Sequence, residues 1–141
     1  MIRDRKVSGS VVVAFLFACF VAQLPESGCA SSSVSAQLTS EQAWNVVKEK
    51  ALNDKLEGKV AYVSPGRLQG GATIKAMIHQ YRVPEDMQSA WVVFIDDAPA
   101  ANWEHPCRYV FVDPASGKHS VLDGTAPPDD LDTYAKVYPK Q

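Results

Sequence analysis

Apolar positions along the chain change their period from segment to segment, and each change marks an element. Over residues 37–57, Trp44, Val47, Ala51, Leu52 and Leu56 recur at helical spacing, with Lys48, Glu49, Asn53 and Asp54 on the other side. Thr39 and Gln42 have the spacing of a capping box, Glu41 adds negative charge to the first turn, and Gly58 is placed to stop the helix. The pattern predicts a helix over 37–57 whose stripe, Trp44 included, docks on a core. Residues 59–64, rich in Val and Tyr, predict a strand that Pro65-Gly66 breaks. Residues 72–83 alternate: Ile74, Ala76 and Ile78 point one way, Thr73, Lys75, His79 and Tyr81 the other, with Met77 the exception. This predicts one half-buried strand.

Residues 91–95 and 109–112 are uninterrupted apolar runs, the mark of central strands covered on both faces. Asp113 and Pro114 open a turn that Gly117 completes, and residues 119–122 follow as a short edge strand. Pro127-Pro128 precedes a last short helix with Leu131, Tyr134 and Ala135 on one side, ended by Pro139. Strands gathered after one helix, without regular alternation, predict an α+β fold: an N-terminal helix packed on an antiparallel sheet of about four to five strands, and a short C-terminal helix.

The N-terminus changes the domain picture. Arg3, Arg5 and Lys6 precede an apolar run at 11–22 that is short for a membrane span, and a Ser-rich segment follows at 25–37. This is the layout of a secretory signal peptide, so residues 1–36 are read as leader and tether and 37–141 as a single domain. Two cleavage readings stand. Ala36 closes a small-x-small motif, and Cys29, after Ser27 and Gly28, suits a bacterial lipobox with lipidation at Cys29, although Glu26 departs from it. An uncleaved anchor at 11–22 is a third option. The expected location is the cell envelope, as a membrane-anchored lipoprotein or a periplasmic or secreted protein, with membrane contact only through that N-terminus. Of three cysteines, Cys19 and Cys29 fall in this leader, so Cys107 is left alone without an internal disulfide partner. A net charge of −2 gives no basic excess to attract nucleic acid.

Several constellations bear on chemistry. His105 and Cys107 are two apart in a strand-like stretch, which puts a base and a thiol on one face, as a thiol-dependent enzyme needs. No separate cleft-forming lobe accompanies them, and a buried structural Cys107 is the plainer reading. His79, His105, His119 and Cys107 lack any short metal-ligand spacing, so no metal site is expected. Asp96 and Asp97, adjacent at a strand end, point to opposite faces and are poor partners for acid–base work. The connection at 97–106 is longer than a tight hairpin needs and carries Asn102, Trp103, Glu104 and His105, the candidate binding residues, although a Trp103 folded back as a lid on the sheet is the plainer reading. Nothing calls for a cofactor.

The capped helix with Ala43 and Ala51, the strand Trp91-Val92-Val93, and the apolar strand running from Tyr109 into the Asp113-to-Gly117 turn together resemble PepSY-like domains over roughly residues 39–122. The long 97–106 connection and the segment 65–83 depart from that pattern. The resemblance implies a helix on an antiparallel sheet, no catalytic residues, and a non-enzymatic binding or peptidase-inhibitory role in the cell envelope. The expected partner is another envelope or secreted protein. A cystatin-like arrangement gives much the same pattern, and with it a small-ligand or metal binder. The alternative from another class is a thiol-dependent enzyme using Cys107 and His105.

Overall fold

A computed structural model describes residues 36–140. The leader, Cys19, Cys29 and the candidate lipidation at Cys29 lie outside the described residues. Helix α1 (Ser40–Val46) begins where the spacing predicts. The Thr39 hydroxyl accepts the Gln42 N–H at 3.3 Å, and the Gln42 side chain accepts the Thr39 N–H at 2.9 Å. It widens into a π-helical turn over Val47–Ala51, with the Leu52 N–H on the Val47 carbonyl at 3.0 Å. Asn53 and Asp54, with φ of 48° and 58°, then turn the backbone left-handed and end it. The expected helix over 37–57 is therefore shorter. Leu56 still packs on the core cluster, but from the irregular connection.

The strands are β1 (Val60–Val63), β2 (Leu68–Gln69), β3 (Thr73–Ala76), β4 (His79–Arg82), β5 (Ser89–Asp96), β6 (Cys107–Val112), β7 (His119–Gly124) and β8 (Ala135–Tyr138). The main sheet is antiparallel in the order β7-β6-β5-β1-β8, with β2 beside the start of β5, while β3 and β4 form a separate hairpin. The α+β expectation is corrected here. Strand accounts for 36% of the described residues and helix for 14%, with one short helix at residues 40–51, so the fold is mainly β sheet.

The apolar runs at 91–95 and 109–112 are neighbours, paired from Trp91 opposite Val112 to Asp96 opposite Cys107. On one face, Val93, Ile95, Val110 and Val112 bury against Ala43, Trp44, Val47 and Leu52. On the other, Val92, Phe94, Tyr109 and Phe111 bury against Ile74, Val83, Met87 and Tyr134. Burial on both faces removes any alternation from these two strands.

Two further expectations are corrected. Residues 72–83 are not one strand but the β3–β4 hairpin, turning at Met77 and Ile78. The alternation hides the turn because neither residue is Gly, Asn or Asp. Met77 adopts φ 55°, and the Asp129 carboxylate accepts its N–H at 2.6 Å. The C-terminal helix is absent too. Leu131–Thr133 forms a single 3-10 turn, and Ala135–Tyr138 pairs with β1 as β8, because β1 offers a free edge and the turn alone seats Tyr134 in the core.

Candidate functional site

The strand ends that flank residues 97–106 set the chemistry of this end of the molecule. Asp97 is fixed first. Its carboxylate accepts from Lys59 Nζ at 2.7 Å and from Arg108 Nε and a terminal guanidinium nitrogen at 2.8 and 2.6 Å. Desolvation pushes this carboxyl up, but the hydrogen bonds from Arg108 and Lys59 outweigh it and hold it below its ordinary value. Asp96 accepts the Ala98 N–H at 2.9 Å, an Asx turn that starts the loop.

The far side of the loop is tied to the β3–β4 hairpin and the segment after β7. The His105 N–H donates to the Thr125 carbonyl at 2.9 Å. Its ring Nδ1 donates to the Trp103 carbonyl at 2.7 Å. Its Nε2 lies 3.0 Å from Asp96 Oδ1 without the geometry of a hydrogen bond, and is buried with no hydrogen-bond partner among the described residues. Glu104 Oε1 sits 2.9 Å from His79 Nε2. The Thr125 N–H donates to the Tyr81 hydroxyl at 2.9 Å, and Tyr81 lies against Tyr109 with ring centroids 4.4 Å apart. Gly124 lets these rings close: a Cβ there would stand 3.0 Å from Tyr109 and 3.1 Å from Tyr81.

The predicted loop residues therefore part company. His105 turns inward and Glu104 bridges to His79, while Asn102 is exposed and Trp103 stands 85% exposed. Trp103 does not fold back onto the sheet. Ile78, at the hairpin turn, is 86% exposed and Met77 61%. Ile78 precedes His79, His79 holds Glu104, and Glu104 follows Trp103, so these exposed apolar side chains share one end of the molecule. Sequence reasoning missed Met77 and Ile78. The break in alternation at Met77 was the available signal.

Cys107 and His105 are not brought into a catalytic pair. Cys107 is 2% exposed and its thiol faces the Ala126 carbonyl at 3.5 Å. Burial, then the nearby Asp96 charge, pushes the thiol up to about 11. A nucleophilic cysteine needs the opposite shift. The Tyr109 hydroxyl donates to the same carbonyl at 2.7 Å. Among the described residues, no three His, Cys, Asp or Glu side chains gather as a metal-ligand set.

The turn after β6 is internally satisfied. Asp113 accepts from the Ala115 N–H at 2.8 Å and the Ser116 hydroxyl at 2.9 Å, and these bonds, the Ala115 one foremost, hold its carboxyl below the ordinary value. The Leu38 N–H donates to the Pro114 carbonyl at 2.8 Å, which seats the start of the described chain at this turn. Elsewhere, a cleft of about 550 Å³ lies between Leu68, Ile74 and Tyr134, with Lys75 and Asp129 in its wall. No known protein family, curated protein or solved structure matches the chain.

Proposed function

We propose that this protein is an exported, non-enzymatic module that binds or modulates another protein of the cell envelope or secreted space, through the end that carries Trp103, Ile78 and Met77. Peptidase inhibition, which the PepSY-like resemblance implies, is one form of this. The observation that carries the reading is a tryptophan left 85% exposed on a loop pinned on both sides. Exposing so large an apolar surface is costly unless a partner covers it, and tryptophan is enriched among the residues that dominate interface energies. The pinning matters as much, because a loop that is already ordered loses little entropy on binding.

Topology supports the direction of presentation. The loop enters β6 at Cys107, whereas Leu38 is held at the turn that leaves β6 after Val112. A six-residue strand spans roughly 20 Å. A domain tethered at its N-terminus thus carries Trp103 at the far end of β6 from the tether. The buried, high-pKa Cys107 weighs against the thiol-enzyme alternative.

Site-specific photocrosslinking tests the proposal. With p-benzoylphenylalanine at position 103, irradiation of intact cells gives a discrete adduct with one envelope protein. The same probe at the exposed Lys50 on the helix gives none. Equal labelling from both positions, or none from position 103, overturns the assignment.

A further inference from the structure

The two outer edges of the sheet are treated differently. The β8 edge is protected in the usual ways: the β1–β8 register shifts between Ala61 and Tyr62, the strand carries Lys136, and Pro139 and Lys140 follow it. The β7 edge has none of these devices. It pairs with β6 without a register shift from Cys107 opposite Gly124 to Val112 opposite His119, and it has no Lys, Arg or Pro. Val121 is 45% exposed and Leu122 37%.

The phase of the ladder tells which backbone groups the β7 edge presents. The Asp113 N–H donates to the Lys118 carbonyl at 2.9 Å, so this pair is hydrogen-bonded. Alternation then makes Phe111 with Ser120, Tyr109 with Leu122 and Cys107 with Gly124 the hydrogen-bonded pairs. The Ser64 N–H on the Val92 carbonyl, carried across β5 and β6, gives the same phase. His119, Val121 and Asp123 therefore turn their N–H and C=O groups outward. Among the described residues, none of these groups has a hydrogen-bond partner.

We propose that this edge pairs antiparallel with β7 of a second copy of the chain, in a register centred on Val121. Residues opposite one another in an antiparallel pair must both turn their groups toward the partner strand or both away. Val121 can therefore face Val121, His119 or Asp123 of the other copy, but not Ser120 or Leu122. Only the first choice engages all three outward residues of each strand. That register also sets the His119 imidazole opposite the Asp123 carboxylate of the second copy, and the reverse by symmetry. The other registers place an apolar Val121 against one of these polar side chains. The match of imidazole to carboxylate and of valine to valine thus selects one self-pairing, with Val121 meeting Val121 at the two-fold axis on the helix-bearing face. The axis reverses strand direction, so the two Trp103 tips point to opposite ends of the pair and meet separate partners. No residue of the tip lies on β7, so loss of one surface leaves the other intact.

Disulfide trapping tests this in the full chain, with Cys19→Ser and Cys29→Ser so that the buried Cys107 is the one native thiol left. At the central pair the Cα atoms stand about 5.5 Å apart, within disulfide range. Mild oxidation of Val121→Cys is expected to give a covalent dimer on a non-reducing gel, at least roughly tenfold more than Lys136→Cys on the other edge, and Asp123→Lys in the same chain is expected to remove it. Adding His119→Asp to Asp123→Lys restores the opposite charges and the band. In the unsubstituted chain, Val121→Pro deletes an outward N–H that β6 does not use, so the fold is kept while sedimentation shows monomer. Equal trapping at positions 121 and 136, trapping that Asp123→Lys leaves unchanged, or a sedimenting species that Val121→Pro does not alter would each overturn the pairing.

Discussion

Replacing Cys107 by alanine separates a structural thiol from a reactive one through the pH dependence of stability. In the folded chain, burial raises this thiol from 9.0 to about 11. The unfolded chain keeps the ordinary value. Below pH 8 the thiol is protonated in both states and contributes no slope. Between pH 9 and 11 the unfolded state releases a proton that the folded state retains, so stability falls as pH rises. A two-unit difference gives a loss of about 1.3 kcal/mol between pH 8 and pH 10. With a urea m-value of about 1.5 kcal/mol/M, the midpoint moves down by roughly 0.9 M. The variant is expected to be less stable at pH 8 by about 1–2 kcal/mol, because it loses the sulfur from the packed face beside Tyr109. Its own midpoint should lose that pH component. The assay is urea unfolding followed by circular dichroism at both pH values for both chains, and the quantity is the difference of differences. Tyr134, which burial pushes up to about 12, begins to add its own slope from about pH 9 as the unfolded phenol ionises, but it does so in both chains and cancels in the subtraction. Equal slopes in the two chains would refute the buried-thiol account. A wild-type chain that gained stability with rising pH would point to a thiolate favoured by folding, and so to the enzyme alternative.

Two other outcomes follow from the same end of the molecule. Asp97→Asn leaves Lys59 and Arg108 without their carboxylate and is expected to cost about 2–3 kcal/mol in urea unfolding at pH 7. Because folding lowers this carboxyl below 3.8, its contribution is complete above that value and is lost as pH falls through the folded-state value, so the wild-type advantage should shrink below pH 4. Gly124→Ala forces a methyl to within about 3 Å of the two tyrosine rings and is expected to cost about 1–3 kcal/mol, read as a lower melting temperature, and Tyr81→Ala in the same chain should relieve part of it.

The legible parts of the fold were those that local chemistry dictates. The Thr39–Gln42 capping box, the two unbroken apolar strands, the turn from Asp113 and the edge strand after it are set by residues close in sequence. The parts that were not legible depend on distant contacts. Met77 takes its left-handed backbone because Asp129, far along the chain, accepts its N–H, so a hairpin turn lies inside what reads as one alternating strand. Residues 135–138 become β8 because β1 leaves an edge open, which overrides a weak helical pattern. Leu56 extends a helical stripe in the sequence but reaches the core from an irregular connection. These are also why a helix-bearing α+β reading gives way to a mainly β sheet. At the site, the sequence places Trp103 on a loop but leans toward a ring folded back as a lid on the sheet, and the 85% exposure overturns that. The inward turn of His105 and the tie from Glu104 to His79 required the hairpin that the sequence concealed.

The three indole N–H groups of Trp44, Trp91 and Trp103 give the most direct reading of the central claim. With the partner captured from position 103 titrated into the ¹⁵N-labelled protein, the Trp103 indole signal should shift or broaden at the first additions, while that of the buried Trp44 and that of Trp91, bonded to the Leu38 carbonyl at 2.8 Å, stay in place. A Trp103 signal unmoved at saturation, while the amides of another surface shift, would contradict the account.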